Sequence, residues 1–98
     1  MTETKFTPGP WEVSPVLPGY YEWVRNSDGH LVADCASMLP SEECVANAAL
    51  ISAAPDMYAA LEHFTTMTRK AFISPEAVCF YMQKYARDII AKARGEKR

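Results

Sequence analysis

Three features of the 98-residue sequence predict an α+β fold, a three-stranded antiparallel sheet packed against three helices. Trp11 to Ser14 alternates apolar and polar side chains, Tyr20 to Arg25 and His30 to Ala36 are rich in aromatic and branched residues, and Pro18-Gly19 and Asn26-Ser27-Asp28-Gly29 separate these runs. An alanine-rich run follows Ser41, and a third segment opens on Ser74-Pro75-Glu76 and stops at Gly95. The length suits a single domain, residues 1–98, with one modest core.

Each element has its own signal. Trp11-Glu12-Val13-Ser14 reads as the first strand, with Pro15 as its stop. Tyr20 to Arg25 and His30 to Ala36 supply the other two, so the meander covers about residues 11–36. The Asn26–Gly29 stretch suits a type I turn closed by a G1 bulge, with Gly29 at positive φ. Ser41 is the expected N-cap of a helix over about 42–53, with Glu42 and Glu43 favouring its N-terminal dipole. Pro55 disfavours helical geometry at Ala54, yet at the first position of a helix it costs almost nothing. A sharp corner and a second helix over about 55–67 are therefore expected, with Met57, Leu61 and Phe64 facing inward. Ala46, Ala49 and Ala53 on the preceding helix would allow close approach of a neighbour. The third helix, about 75–94, carries Val78, Tyr81, Met82, Tyr85, Ile89 and Ala93 as a core stripe.

Composition narrows the function classes. Hydrophobic residues at 49% and charged residues at 22% are ordinary for a globular chain. The start, MTETKFTPGPW, has no apolar segment of secretory type, and Cys44 to Pro55 falls short of a membrane span. Three cysteines without CxxC spacing argue against a disulfide scaffold or a structural zinc site and suit a reducing cytoplasm. No metal and no cofactor is expected, and without a P-loop, a G-x-G-x-x-G or a G-x-S-x-G the chain reads as non-enzymatic. The net charge of −2 is divided unevenly: nine acids against two bases up to residue 68, then eight bases against three acids. Basic residues near a helix C-terminus complement its dipole. A nucleic-acid face made of Lys84, Arg87, Lys92, Arg94, Lys97 and Arg98 is the alternative.

The hairpin holds the remaining candidates. In the G1-bulge register Asn26 faces His30, Arg25 opposes Leu31, Val24 opposes Val32, Trp23 opposes Ala33 and Glu22 opposes Asp34. One face then carries Tyr21, Trp23, Leu31, Ala33 and Cys35 as the core set. The other carries Tyr20, Glu22, Val24, His30, Val32 and Asp34. Aromatic residues beside carboxylates on an open sheet face form a protein-binding surface, because Tyr and Trp anchors dominate binding energy. Tyr20, Glu22, Val24, His30 and Asp34 are accordingly the expected contact residues. Self-association through a strand edge or a shared sheet face would cover the same aromatics, so a homodimer is a second expectation. Glu22, His30 and Asp34 as an acid–base or cation site form a third, more distant one.

Two segments resemble a known group. "TPGPW" at 7–11 and "ANAALISAAPDMYAALE" at 46–62 are similar to small phage and prophage accessory proteins with a T-P-G-P-W strand, a hairpin and an A-N-A-x-L-I-x-A-A-P-x-x-x-x-A-L helical corner. The resemblance covers about a quarter of the chain, and Asn47 falls on its motif, where a hydrogen bond to the turn near the Trp11 strand is expected. It implies a phage product acting in the cytoplasm of a bacterial host. By analogy with other small phage proteins, it also implies binding to a host protein and disabling of a defence component.

Overall fold

The computed structural model describes residues 5–36, 41–67 and 74–96. Three strands, β1 (Trp11–Leu17), β2 (Tyr20–Asn26) and β3 (Leu31–Asp34), form one antiparallel sheet in the order β1-β2-β3. The helices are α1 (Glu42–Ser52), α2 (Ala54–Met67) and α3 (Pro75–Ala93).

Local chemistry explains the turns. Gly19 has φ 88, which with Pro18 before it matches a type II turn between β1 and β2. At the second turn Gly29 has φ 86, its N–H donates to Asn26 O, and Asn26 N–H donates to His30 O. The Asn26 side chain accepts from the N–H groups of Asp28 and His30, which fixes the loop from inside. β1 does not stop at Pro15. It continues to Leu17 with a register irregularity on either side of Pro15, which an edge strand tolerates because its outer N–H groups are unpaired anyway.

The expected hairpin register holds at Arg25–Leu31 and then slips. A bulge between Val24 and Arg25 brings Ala33 opposite Val24 and Asp34 opposite Trp23, so Glu22 and Asp34 do not face one another. The sheet is also inverted relative to the expectation. Glu22 and Val24 are completely buried, whereas Leu31 is half exposed. The helix above the sheet accounts for this. α1 packs chiefly on β2 through Ala48, Ala49, Ser52 and the joint residue Ala53, all buried. Side chains that short bring the helix close to the strands and leave a gap suited to valine rather than tryptophan.

Ser41 caps α1, its hydroxyl accepting from Cys44 N–H, and Ser74 caps α3 in the same way through Ala77 N–H. α3 ends in a Schellman motif: Glu96 N–H donates to Ala91 O, Gly95 N–H donates to Lys92 O, and Gly95 has φ 80. The expected corner at Pro55 is replaced by a continuous joint. Ala53 keeps right-handed helical dihedrals (φ −86, ψ −5) and Met57 N–H donates to Ala53 O, so no loop separates α1 from α2. The helical layer therefore has two bodies, residues 42–67 and α3, rather than three separate helices.

The inward stripes differ from the expected ones. Ala46 is exposed, and on α2 the buried residue is Ala60, with Leu61 65% exposed. Tyr81 and Tyr85 of the α3 stripe are at the surface, and α3 has no buried residue. The molecule measures 52 × 27 × 17 Å. Its radius of gyration of 15.9 Å exceeds the ~13 Å of a compact chain this long.

Candidate functional site

The face of the sheet turned away from α1 is left open by the described elements. Among the described elements only α1 packs on the sheet to any extent, and it covers the opposite face. Trp23 and Arg25 project outward from β2, with the guanidinium 5.1 Å from the indole centroid. Arg25 Nε donates to Ser14 Oγ on β1 at 3.3 Å, and Nη1 donates to Gly29 O in the turn at 2.7 Å. These bonds fix a long cation at the centre of the face. Leu31 lies across from Arg25 and Asp34 across from Trp23, both exposed. The indole N–H of Trp23 is buried and has no hydrogen-bond partner among the described residues.

The five expected contact residues separate. Tyr20, His30 and Asp34 remain at the surface, while Glu22 and Val24 lie under α1. Tyr20 begins β2 and His30 follows its end, about 20 Å away at the usual rise per residue. The reason is the one-residue parity of the sheet: once α1 selects Val24, every neighbour on β2 changes side. Trp23, Arg25 and Leu31 lie on the open face in their stead. The available signal was the alanine run of α1, which is too short in side chain to cover a tryptophan.

Glu22 has a structural partner. Its Oε2 accepts from the N–H of Ser41 at 3.0 Å, so a buried carboxyl on the sheet anchors the residue that caps α1. Its Oε1 has no partner among the described residues. His30 is exposed, and the Asp34 carboxylate accepts from Ala36 N–H. Glu22, His30 and Asp34 therefore do not converge, and no group of three or more His, Cys, Asp or Glu among the described residues could hold a metal ion. Nearby, burial pushes the Cys35 thiol above its usual value, and the negative charges of Cys44, Asp34 and Glu22 add to the shift.

The basic set is likewise divided. Lys92 Nζ sits 2.9 Å from Asp56 Oδ2 and links α3 to the start of α2. Arg94 approaches Glu96 at 3.9 Å, Lys84 and Arg87 are exposed, and Lys97 and Arg98 lie outside the described residues. Beside the Asp56–Lys92 pair a cleft of ≈ 500 Å³ opens between the sheet and the helices, with Val13, Val45 and Ile89 among its apolar walls.

The second part of the resemblance motif has a physical basis. A Cβ built on Gly9 would lie 2.8 Å from Pro55 Cβ, so the TPGPW segment passes directly over the joint between α1 and α2. Phe6 meets Tyr58 edge-on at 5.1 Å, and Trp11 Nε1 donates to Thr7 O. Asn47 is exposed, and no hydrogen bond joins it to the Trp11 strand among the described residues.

A small α+β domain, with an antiparallel sheet open on one face and a helical layer on the other, is the class these features define. A family model described as Salmonella phage P22 protein Y8K6 matches residues 1–97, so the chain belongs to that phage protein family. This supports a phage accessory role. Nothing matches among curated proteins or among solved structures.

The continuous helical stretch Glu42–Thr66 contains an 18-residue window of mean hydropathy 1.3, which by length and composition alone could cross a membrane, a test that core helices of soluble proteins also pass. In this fold one side of the stretch is taken up by the sheet.

Proposed function

We propose that this chain is a non-enzymatic phage accessory protein that binds a host protein in the bacterial cytoplasm through the open face of its sheet, and that the host protein belongs to a defence system. The observation that carries the reading is the Trp23–Arg25 pair held at the centre of that face beside the half-exposed Leu31. Tryptophan and arginine are the side chains most enriched among residues that dominate binding energy, and an apolar neighbour completes such a patch. Two of the four described cations of the alternative nucleic-acid set have acidic neighbours, which favours a protein target over phosphate.

Affinity capture from host lysate tests this, using the wild type beside a variant carrying Trp23→Ala and Leu31→Asp. A host protein retained by the wild type and lost by the variant, with unchanged far-UV circular dichroism, is the expected result. Expression of the chain in a host that restricts phage growth should raise plating efficiency, and the double variant should not. Capture indifferent to Trp23 and Leu31, or plating unaffected by the wild type, overturns the proposal.

A further inference from the structure

We infer that Cys35 and Cys44 form a reversible disulfide, driven by hydrogen peroxide, that staples the end of the sheet to the first turn of α1. The sheet places the first thiol. Cys35 N–H donates to Glu22 O at 2.9 Å, and the neighbouring pair sets Asp34 opposite Trp23, so Cys35 stands across from Glu22. Residues opposite one another in an antiparallel pair point to the same face of the sheet. Glu22 is completely buried under α1, and Cys35, half-buried beside it, faces the same helix.

The helix places the second thiol. Cys44, Ala48 and Ser52 follow one another at four-residue intervals and so share one face of α1. Ala48 and Ser52 are buried where α1 packs on the sheet, which puts Cys44 one turn earlier on the same stripe. Two hydrogen bonds seat that turn on Glu22. Its Oε2 accepts from Ser41 N–H at 3.0 Å, and Ser41 Oγ accepts from Cys44 N–H at 3.2 Å. The two cysteines therefore flank one carboxyl, Cys35 on the sheet and Cys44 on the helix. A disulfide joins Cα atoms about 5.5–6 Å apart, and the short side chains of Ala48 and Ala49 let α1 lie close to the strands. The electrostatics agree. Burial is the main cause that holds the Cys35 thiol above its usual value, and Cys44 is the strongest of the neighbouring charges. Cys79, exposed on α3, belongs to neither layer.

Both residues are thiols in the structure, the state that a reducing compartment maintains. Cys35 keeps its proton, so Cys44 reacts first. Its sulfur gives up a proton and takes one oxygen of the peroxide, the O–O bond breaks, and water leaves a sulfenic acid on Cys44. The Cys35 sulfur then displaces that oxygen, forming the S–S bond and releasing a second water that carries the Cys35 proton. Two thiols and one peroxide thus give one disulfide and two waters, with two electrons passing from sulfur to oxygen. A small thiol reverses the bridge by exchange.

Hydrogen peroxide added to the folded, reduced chain tests this, with digestion at glutamate to cut between the cysteines at Glu42 and Glu43. Mass spectrometry should find Cys35 joined to Cys44, with Cys79 outside the bridge. The urea midpoint of the oxidised chain should rise, because closing a ring of about ten residues raises the folding constant by about 100-fold. A dithiol reductant should restore the original curve. In urea-unfolded chain the bridge should form more slowly and spread over all three cysteines. Cys79→Ser should leave the bridge unchanged, and Cys35→Ser should leave Cys44 as a sulfenic acid that dimedone labels. A bridge through Cys79, sulfinic acid in place of a bridge, equal rates in folded and unfolded chain, or no gain in stability overturns the inference.

Discussion

Under the sheet, the chain buries Val24, Ala48, Ala49 and Ala53; along α2 and α3 it leaves Leu61, Phe80, Tyr81 and Ile90 at the surface. The smallest apolar side chains are inside and several of the largest are outside. Hydrophobic stabilisation scales with area removed from water at about 25 cal/mol per Å². The alanine-lined half therefore gains its stability from close approach, and the aromatic half has area still to bury. One region is closely packed, and the other leaves large apolar side chains at the surface.

Substitutions can break or sharpen that contrast. The largest effect is expected at Val24: Val24→Asp puts a second carboxyl beside buried Glu22 and should destabilise by about 3 kcal/mol or more in urea unfolding. Gly9→Ala comes next. Its added methyl meets the rigid Pro55 ring at 2.8 Å, and overpacking of this kind costs about 1–3 kcal/mol. Asp56→Asn removes a half-exposed ion pair with Lys92, so a loss of at most about 1 kcal/mol is expected, shrinking as salt is added. Phe80→Ser should stay within about 0.5 kcal/mol, since little surrounds the ring.

The smallest effect concerns Cys35. Because burial and neighbouring negative charge hold its thiol above the usual value, the folded state keeps a proton that the unfolded state releases. Stability should therefore decline as pH rises through the ordinary thiol range. Iodoacetamide should modify exposed Cys79 before Cys35, as mass spectrometry of the digested protein can read. Equal rates would contradict the shift.

The same contrast marks how much the sequence revealed. Ser41, Ser74, Gly29 and Gly95 act through local geometry, and caps and turns built on such residues are legible one segment at a time. The facing of the sheet was not. Tyr21-Glu22-Trp23-Val24 alternates in a way that either parity satisfies, and hydrophobicity alone favours the aromatic side. The tertiary partner decides: α1 approaches too closely for Trp23, and Ser41 needs an acceptor that Glu22 supplies. The same parity puts Glu22 and Val24 under α1 and Trp23, Arg25 and Leu31 on the open face. Pro55 was legible as a break but not as a docking point, because its partner Gly9 lies far off in sequence.

That contact between Gly9 and Pro55 also bears on the order of folding. It closes a loop that spans the whole sheet and α1, so its entropic cost is recovered only when those elements are already in place. The TPGPW segment thus acts as a latch that shuts last and opens first. Gly9→Ala should speed unfolding and leave the folding rate nearly unchanged, which would make the TPGPW segment a determinant of lifetime rather than of topology.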